Sequence, residues 1–201
     1  MKKILQILFV ILALIIGLYP AIYFIINRKF GLLQTKTDEV LLNINWNIAF
    51  YIHIIFGAIA LLVGWTQFSL KSRTTNIKMH RIIGKLYICS VILSSLSGIY
   101  IGLFATGGFW ASLGFITLAI IWFSSTLKAY FSIRKKQVIL HQKMMIYSYA
   151  ACFAAVTLRI WLPLLISILN DFTKAYIITA WVCWIPNIFV AYSLTNNCNE
   201  T

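Results

Sequence analysis

Six apolar runs, each long enough to cross a lipid bilayer, limit this chain more than any other feature. They fall at residues 4–26, 46–68, 86–105, 109–132, 144–169 and 175–194. A hydrocarbon core about 30 Å thick takes about 20 helical residues at about 1.5 Å each, and only helices or closed barrels satisfy their own backbone there. The chain is 61% hydrophobic and 10% charged over 201 residues, whereas soluble domains stay near roughly 45–50% apolar. The expected fold class is all-α: a polytopic membrane bundle of six transmembrane helices. The first run follows Met1-Lys2-Lys3. It exceeds the roughly 7–15 apolar residues of a signal peptide and no small-x-small site follows it, so it reads as a retained anchor. The expected organisation is an N-terminal anchor helix and outer loop over 1–44, a five-helix membrane domain over 45–195 and a short cytoplasmic tail over 196–201.

The net charge is +13, from 17 Lys and Arg against Asp38, Glu39, Asp171 and Glu200. The basic residues sit in short loops between apolar runs, which is the pattern of membrane topology and not of a nucleic-acid surface. With the N-terminus inside, one face collects twelve of them: Lys2, Lys3, Lys71, Arg73, Lys78, Arg81, Lys85, Lys128, Arg134, Lys135, Lys136 and Lys143. The other face has only Arg28, Lys29, Lys36 and Lys174. This asymmetry puts both termini in the cytoplasm, and in a bacterium the membrane is the cytoplasmic one. Trp46 and Trp110 then fall at the outer interface.

Ser90, Ser94, Gly98 and Gly102 recur every four residues and make a small-residue stripe on the third helix. Ala150, Ala151, Ala154 and Ala155 repeat the pattern on the fifth, which makes these two helices the expected close pair. Sliding the chain against itself by 61 residues aligns Arg73 with Arg134 and His80 with His141. The two histidines thus stand at equivalent cytoplasmic ends of their helices. Gly107-Gly108 is a turn signal. Cys89, Cys152 and Cys183 lie in apolar runs and Cys198 in the tail, without the spacing of a disulfide framework or zinc site.

Ionisable residues near a span are functional candidates by default. His53 lies in the outer half of the second helix, while His80 and His141 lie at the opposite edge. The topology therefore excludes one metal held by all three. His80 and His141 are candidate axial ligands of one haem b, with Arg81 and Lys85, and beside them Lys78 and Lys143, as partners for its propionates. The bland alternative is a pair of interfacial histidines bonded to loop carbonyls or headgroups.

Arg159 is deep in the fifth run, where a guanidinium costs roughly 2.5–3.5 kcal/mol on insertion scales. Its counted depth matches that of His53 from the other side, so the two are candidates for an outer pocket for an anionic or quinone-like ligand. The alternative is an arginine that snorkels or caps carbonyls loosened by Pro163. Asn187, after Pro186, is a further polar group at depth and a further ligand-binding candidate; it and Gln67 read first as interhelical glue. Trp122, Trp181 and Trp184 read as packing or lipid-facing residues. No phosphate loop, intramembrane carboxylate pair, nucleophile elbow or His-Glu-x-x-His motif is present in the sequence.

Four strings, taken in order, carry a resemblance: His80-Arg81-Ile82-Ile83-Gly84-Lys85-Leu86-Tyr87, Gly107-Gly108-Phe109, the segment Ala155 to Pro163, and the segment Trp181 to Asn187. With His53 before them and His141 between, they resemble the bacterial membrane proteins of the family called domain of unknown function 2306, over about residues 45–195. The resemblance implies a helical membrane domain in which His53, His80, His141 and Arg159 match recurrent positions. It implies no activity. Gln142 departs from the pattern, in which arginine follows the second cytoplasmic histidine. A more distant likeness is to ascorbate-reducible transmembrane b-type cytochromes, which hold two haems between four histidines. Here the counterpart of His53 in the 61-residue register is Gly114, so at most one haem site remains.

The leading expectation is a small redox module with one haem b between His80 and His141. The competing expectations are a non-catalytic carrier or sensor of a small anionic or lipidic ligand at His53 and Arg159, and a structural membrane subunit. Partners expected on any reading are membrane lipids and no nucleic acid.

Overall fold

A computed structural model describes residues 2–26, 30–68 and 76–196. Arg28, Lys29, Lys71, Arg73, Cys198 and the tail after residue 196 lie outside the described residues. Those described are helix and turn, without a strand. Six helical stretches have the length and apolarity to cross a membrane: Ile7–Ile25, Ile44–Phe68, Ile77–Gly102, Phe109–Arg134, Val138–Leu169 and Phe172–Asn196. The protein is thus a multi-pass integral membrane protein. Leu93, Leu96, Ile120, Ile160 and Phe189 are exposed along these helices and face lipid. The third and fifth spans begin before their apolar runs do, because the segments bearing Lys78, Arg81 and Lys85, and His141 and Lys143, are already helical.

The chain forms two compact units, residues 1–94 and 95–201. In the first, α1 (Lys2–Leu18) passes through a tight turn at Pro20 into α2 (Ile22–Ile25), and a short α3 (Asp38–Leu42) precedes α4 (Ile44–Gly64). Asn43 caps α4 by accepting from the Trp46 N–H at 3.1 Å. Gly17 brings α1 onto α4 so closely that a Cβ there would meet the Leu62 side chain at 2.6 Å. Rings close the end where α4 begins: Trp46 stacks on Phe50 at 5.2 Å, and Tyr23 meets Phe50 edge-on at 5.5 Å. Trp46 is accordingly buried, at 2% exposure; Trp110, in the other unit, is 62% exposed.

α5 (Ile77–Gly102) carries the boundary between the units. Its four small residues Ser90, Ser94, Gly98 and Gly102 are all buried, so the stripe is a packing seam. Within the first unit Ser94 fits against Gly57 of α4.

In the second unit Gly102 fits against Ile116 of α6 (Phe109–Arg134), after a turn in which Gly107 and Gly108 take φ of +97° and +71°. α6 turns into α7 (Val138–Cys152) through a left-handed Lys136, φ 61°. There Gln137 N–H donates to Ser132 O (2.9 Å) and Lys136 N–H to Ile133 O (3.0 Å), a Schellman closure that holds the two helices as a hairpin. A fully buried bond between Thr126 Oγ1 and Ser148 Oγ (2.6 Å) ties α6 to α7 within the bilayer. α8 (Ala154–Leu169) ends at a left-handed Asn170, and Asp171 caps α9 (Phe172–Val182) by accepting from Lys174 N–H at 3.0 Å. That bond and the Lys174 ammonium hold the Asp171 carboxyl below its ordinary range. α10 (Ile185–Asn196) completes the unit against α7. Gly114 admits α9 to the backbone of α6: a Cβ there would meet Ala180 O at 2.8 Å.

Candidate functional site

Both of the last two spans are interrupted halfway. The fifth breaks at Phe153, between α7 and α8, and the sixth at Cys183 and Trp184, between α9 and α10. Pro186 explains the second break, since it offers no N–H to Val182 and its ring crowds that carbonyl. The first break is not at Pro163, which lies inside the continuous helix α8. Ala154, Cys183 and Trp184 form one buried cluster, so the two breaks face each other.

Asn187 joins them. Its Nδ2 donates to Ala150 O (3.3 Å), to Cys183 O (3.1 Å) and to Thr157 Oγ1 (3.2 Å). Ala150 O is the acceptor an unbroken ladder would offer to Ala154 N–H. Thr157 Oγ1 in turn donates to Cys183 O. Backbone polar groups released inside a bilayer need such partners. The expected reading of Asn187 as glue therefore fits what it does here, while Thr157, its partner, carried no sequence signal beyond a hydroxyl at helical depth.

The three histidines fall in different units: His53 and His80 in the first, His141 in the second. His53 on α4 donates from Nδ1 to Ser94 O on α5 at 2.8 Å, and Ser94 Oγ donates back to His53 O at 2.9 Å. His141 donates from Nδ1 to Ala129 O across the hairpin at 2.9 Å. A carbonyl only accepts, so in both rings the proton is on Nδ1 and the neutral form has its lone pair on Nε2. His80 is half-buried, the fourth residue of α5, as His141 is of α7. Their N–H groups bond the matching carbonyls, Asn76 O and Gln137 O, each at 3.0 Å. The local equivalence expected of the two histidines is present.

Of the expected propionate partners, Arg81, Lys85 and Lys78 are exposed and Lys143 is half-buried. Arg159, half-buried on α8 in the second unit, donates from Nη1 to Ala155 O at 2.8 Å. That carbonyl is one turn back on its own helix and is not one loosened by Pro163. Trp122 and Trp184 are buried packing residues; Trp184 Nε1 donates to Ala180 O (2.9 Å) and Trp181 Nε1 to Trp110 O (3.2 Å). Gln67 is buried beside Gly84. Cys152 and Cys183 are core residues, but Cys89 is exposed on its helix, since the apolar run around it also faces lipid.

The profile of the predicted membrane protein family DUF2306, domain of unknown function 2306, matches residues 50–195. The chain belongs to this family of polytopic membrane proteins. Neither a curated protein nor a solved structure matches it.

Proposed function

We propose that this membrane protein is a small electron-carrying module in which His141 is an axial ligand of one haem b, with His80 the second ligand to which the sequence points. The supporting observation is the His141 Nδ1–H···O=C bond to Ala129. Metal-bound imidazoles characteristically donate their other N–H to a carbonyl or carboxylate, which sets the tautomer and orients the ring. The bond leaves the Nε2 lone pair for iron. Lys143, close by on the same helix end, and Arg81 and Lys85 beside His80 are the cations for propionates. Haem, when bound, supplies reversible one-electron chemistry; this chain would supply ligation, a fixed ring orientation and a low-dielectric surround.

The rival reading, a carrier or sensor with an anionic ligand at His53 and Arg159, has less support. His53 Nδ1–H and at least one guanidinium N–H are already spent on helix carbonyls. An arginine that bonds a carbonyl one turn back on its own helix is in part accounted for without a ligand.

The test is a reduced-minus-oxidised absorption spectrum of protein purified from cells supplied with a haem precursor. Soret and α bands are expected in the wild type and in His53→Ala, and loss of both in His80→Ala and His141→Ala, with helicity by circular dichroism unchanged. A colourless wild type would falsify the proposal.

A further inference from the structure

The α6–α7 hairpin carries an open groove of about 480 Å³ at its basic end. Phe123, Leu127 and Phe131 form an apolar floor on α6, Lys128 and Lys135 rise from the same helix, and Gln137 closes the end in the turn. Phe123, Leu127, Phe131 and the capping Lys135 recur every four residues, with Lys128 beside Leu127, so they form one continuous face about 18 Å long from Phe123 to Lys135 at about 1.5 Å per residue. We propose that this groove is a binding site for an anionic phospholipid, with the phosphate between Lys128, Lys135 and the Gln137 amide and the upper part of one acyl chain along the phenylalanines and Leu127.

Three observations carry this further than general lipid contact. The first is charge: both lysines are exposed, and neither ammonium is paired with a carboxylate among the described residues. The acid described in this unit, Asp171, is bridged to Lys174 at 3.4 Å outside the groove. An anion here meets no repulsion and displaces no internal partner. The second is depth. Lys135 caps the end of α6 and Lys128 is two turns back along it, a position from which a long stem can lie along apolar surface and carry its ammonium to the headgroups at the helix end. The two cations therefore converge on the phosphate layer from different depths. The third is shape. The floor from Phe123 to Phe131 runs along the span for about 12 Å, enough for the upper part of an acyl chain and a feature that a free phosphate or soluble acid would leave unused. The volume holds a headgroup and the first part of a chain, and the open side lets the remainder stay in the bilayer. The site lies wholly within the second unit and is independent of any haem.

The test is native mass spectrometry of the full chain in detergent, titrated with palmitoyl-oleoyl phosphatidylglycerol, with the phosphatidylcholine of the same chains, and with inorganic phosphate as competitor. Wild type should bind phosphatidylglycerol well above phosphatidylcholine and should not release it to millimolar phosphate. The double variant Lys128→Ala/Lys135→Ala should lose about thirty-fold in phosphatidylglycerol affinity, since basic residues near an anionic membrane surface contribute about 1 kcal/mol each. Leu127→Trp, which fills the floor, should weaken it with both lysines intact, and Lys174→Ala should not. If the double variant does not fold, Lys135→Gln, at the exposed helix end, should still show about a five-fold loss. Equal affinity for the two lipids, displacement by phosphate, or unchanged affinity in the lysine variants overturns the proposal.

Discussion

His53 and Ser94 hold each other in both directions: the imidazole Nδ1–H donates to the Ser94 carbonyl at 2.8 Å and the Ser94 hydroxyl donates to the His53 carbonyl at 2.9 Å. Each side chain bonds the other residue's backbone, so the clasp fixes α4 against α5 at one level. Gly57, one turn further along α4, leaves room for it; a Cβ there would stand 3.1 Å from Ser94 Oγ.

This clasp separates two effects at one position. Ser94→Ala loses a hydroxyl bond and keeps the packing, which should cost about 0.6 kcal/mol, the average for an interhelical hydrogen bond in a membrane. Ser94→Leu must also force its bulk against Gly57 and should cost about 1–3 kcal/mol more by overpacking. Unfolding in mixed micelles measures both. Equal losses for the two variants would show that the seam does not close on Gly57.

The basic residues, twelve against four in the sequence, predict which face of the bundle is cytoplasmic. Fusions of alkaline phosphatase and green fluorescent protein after Arg134 and after Asn170 should give opposite patterns. Fluorescence is expected after Arg134 and phosphatase activity after Asn170. The reverse pattern would place both chain termini outside the cell and move the proposed phospholipid site to the outer leaflet.

The spans were legible in the sequence because transfer of apolar side chains into hydrocarbon outweighs the other forces on such a helix, and a run of some twenty apolar residues expresses it directly. The turn at Gly107-Gly108 was legible for an equally local reason, since both residues need positive φ. Which helices close on one another was not. The small stripe of Ser90, Ser94, Gly98 and Gly102 shows that something packs closely there, but any small-faced helix would suit it, and the contacts found are with Gly57 and Ile116. At the candidate site Pro186 announces the break in the sixth span. The break at Phe153 carries no such mark, because the residue that receives its released carbonyl, Asn187, is 37 positions from Ala150. The orientation of His141 was equally hidden, because its partner is the carbonyl of Ala129, and a backbone acceptor leaves no trace in residue type.

Asn187 provides the sharpest test of the interrupted spans. Its amide nitrogen stands within hydrogen-bond distance of carbonyls at both breaks and of the Thr157 hydroxyl, so its two N–H groups are shared among three acceptors. Asn187→Leu keeps the volume and removes every donor, leaving carbonyls in an apolar surround; a loss of about 0.6–1.7 kcal/mol is expected, from the average to the largest value for such bonds in membranes. Asn187→Asp keeps the shape but changes the sign of the interaction. Protonated, its carboxyl retains one donor; ionised, it presents only acceptors to Ala150 O and Cys183 O. The stability of Asn187→Asp in micelles should therefore fall as pH is raised from about 4 to 8, relative to that of Asn187→Leu at each pH. A lipid-facing asparagine would tolerate leucine without loss, and an asparagine open to water would tolerate aspartate at every pH. Either result would remove Asn187 as the joint between the two broken helices.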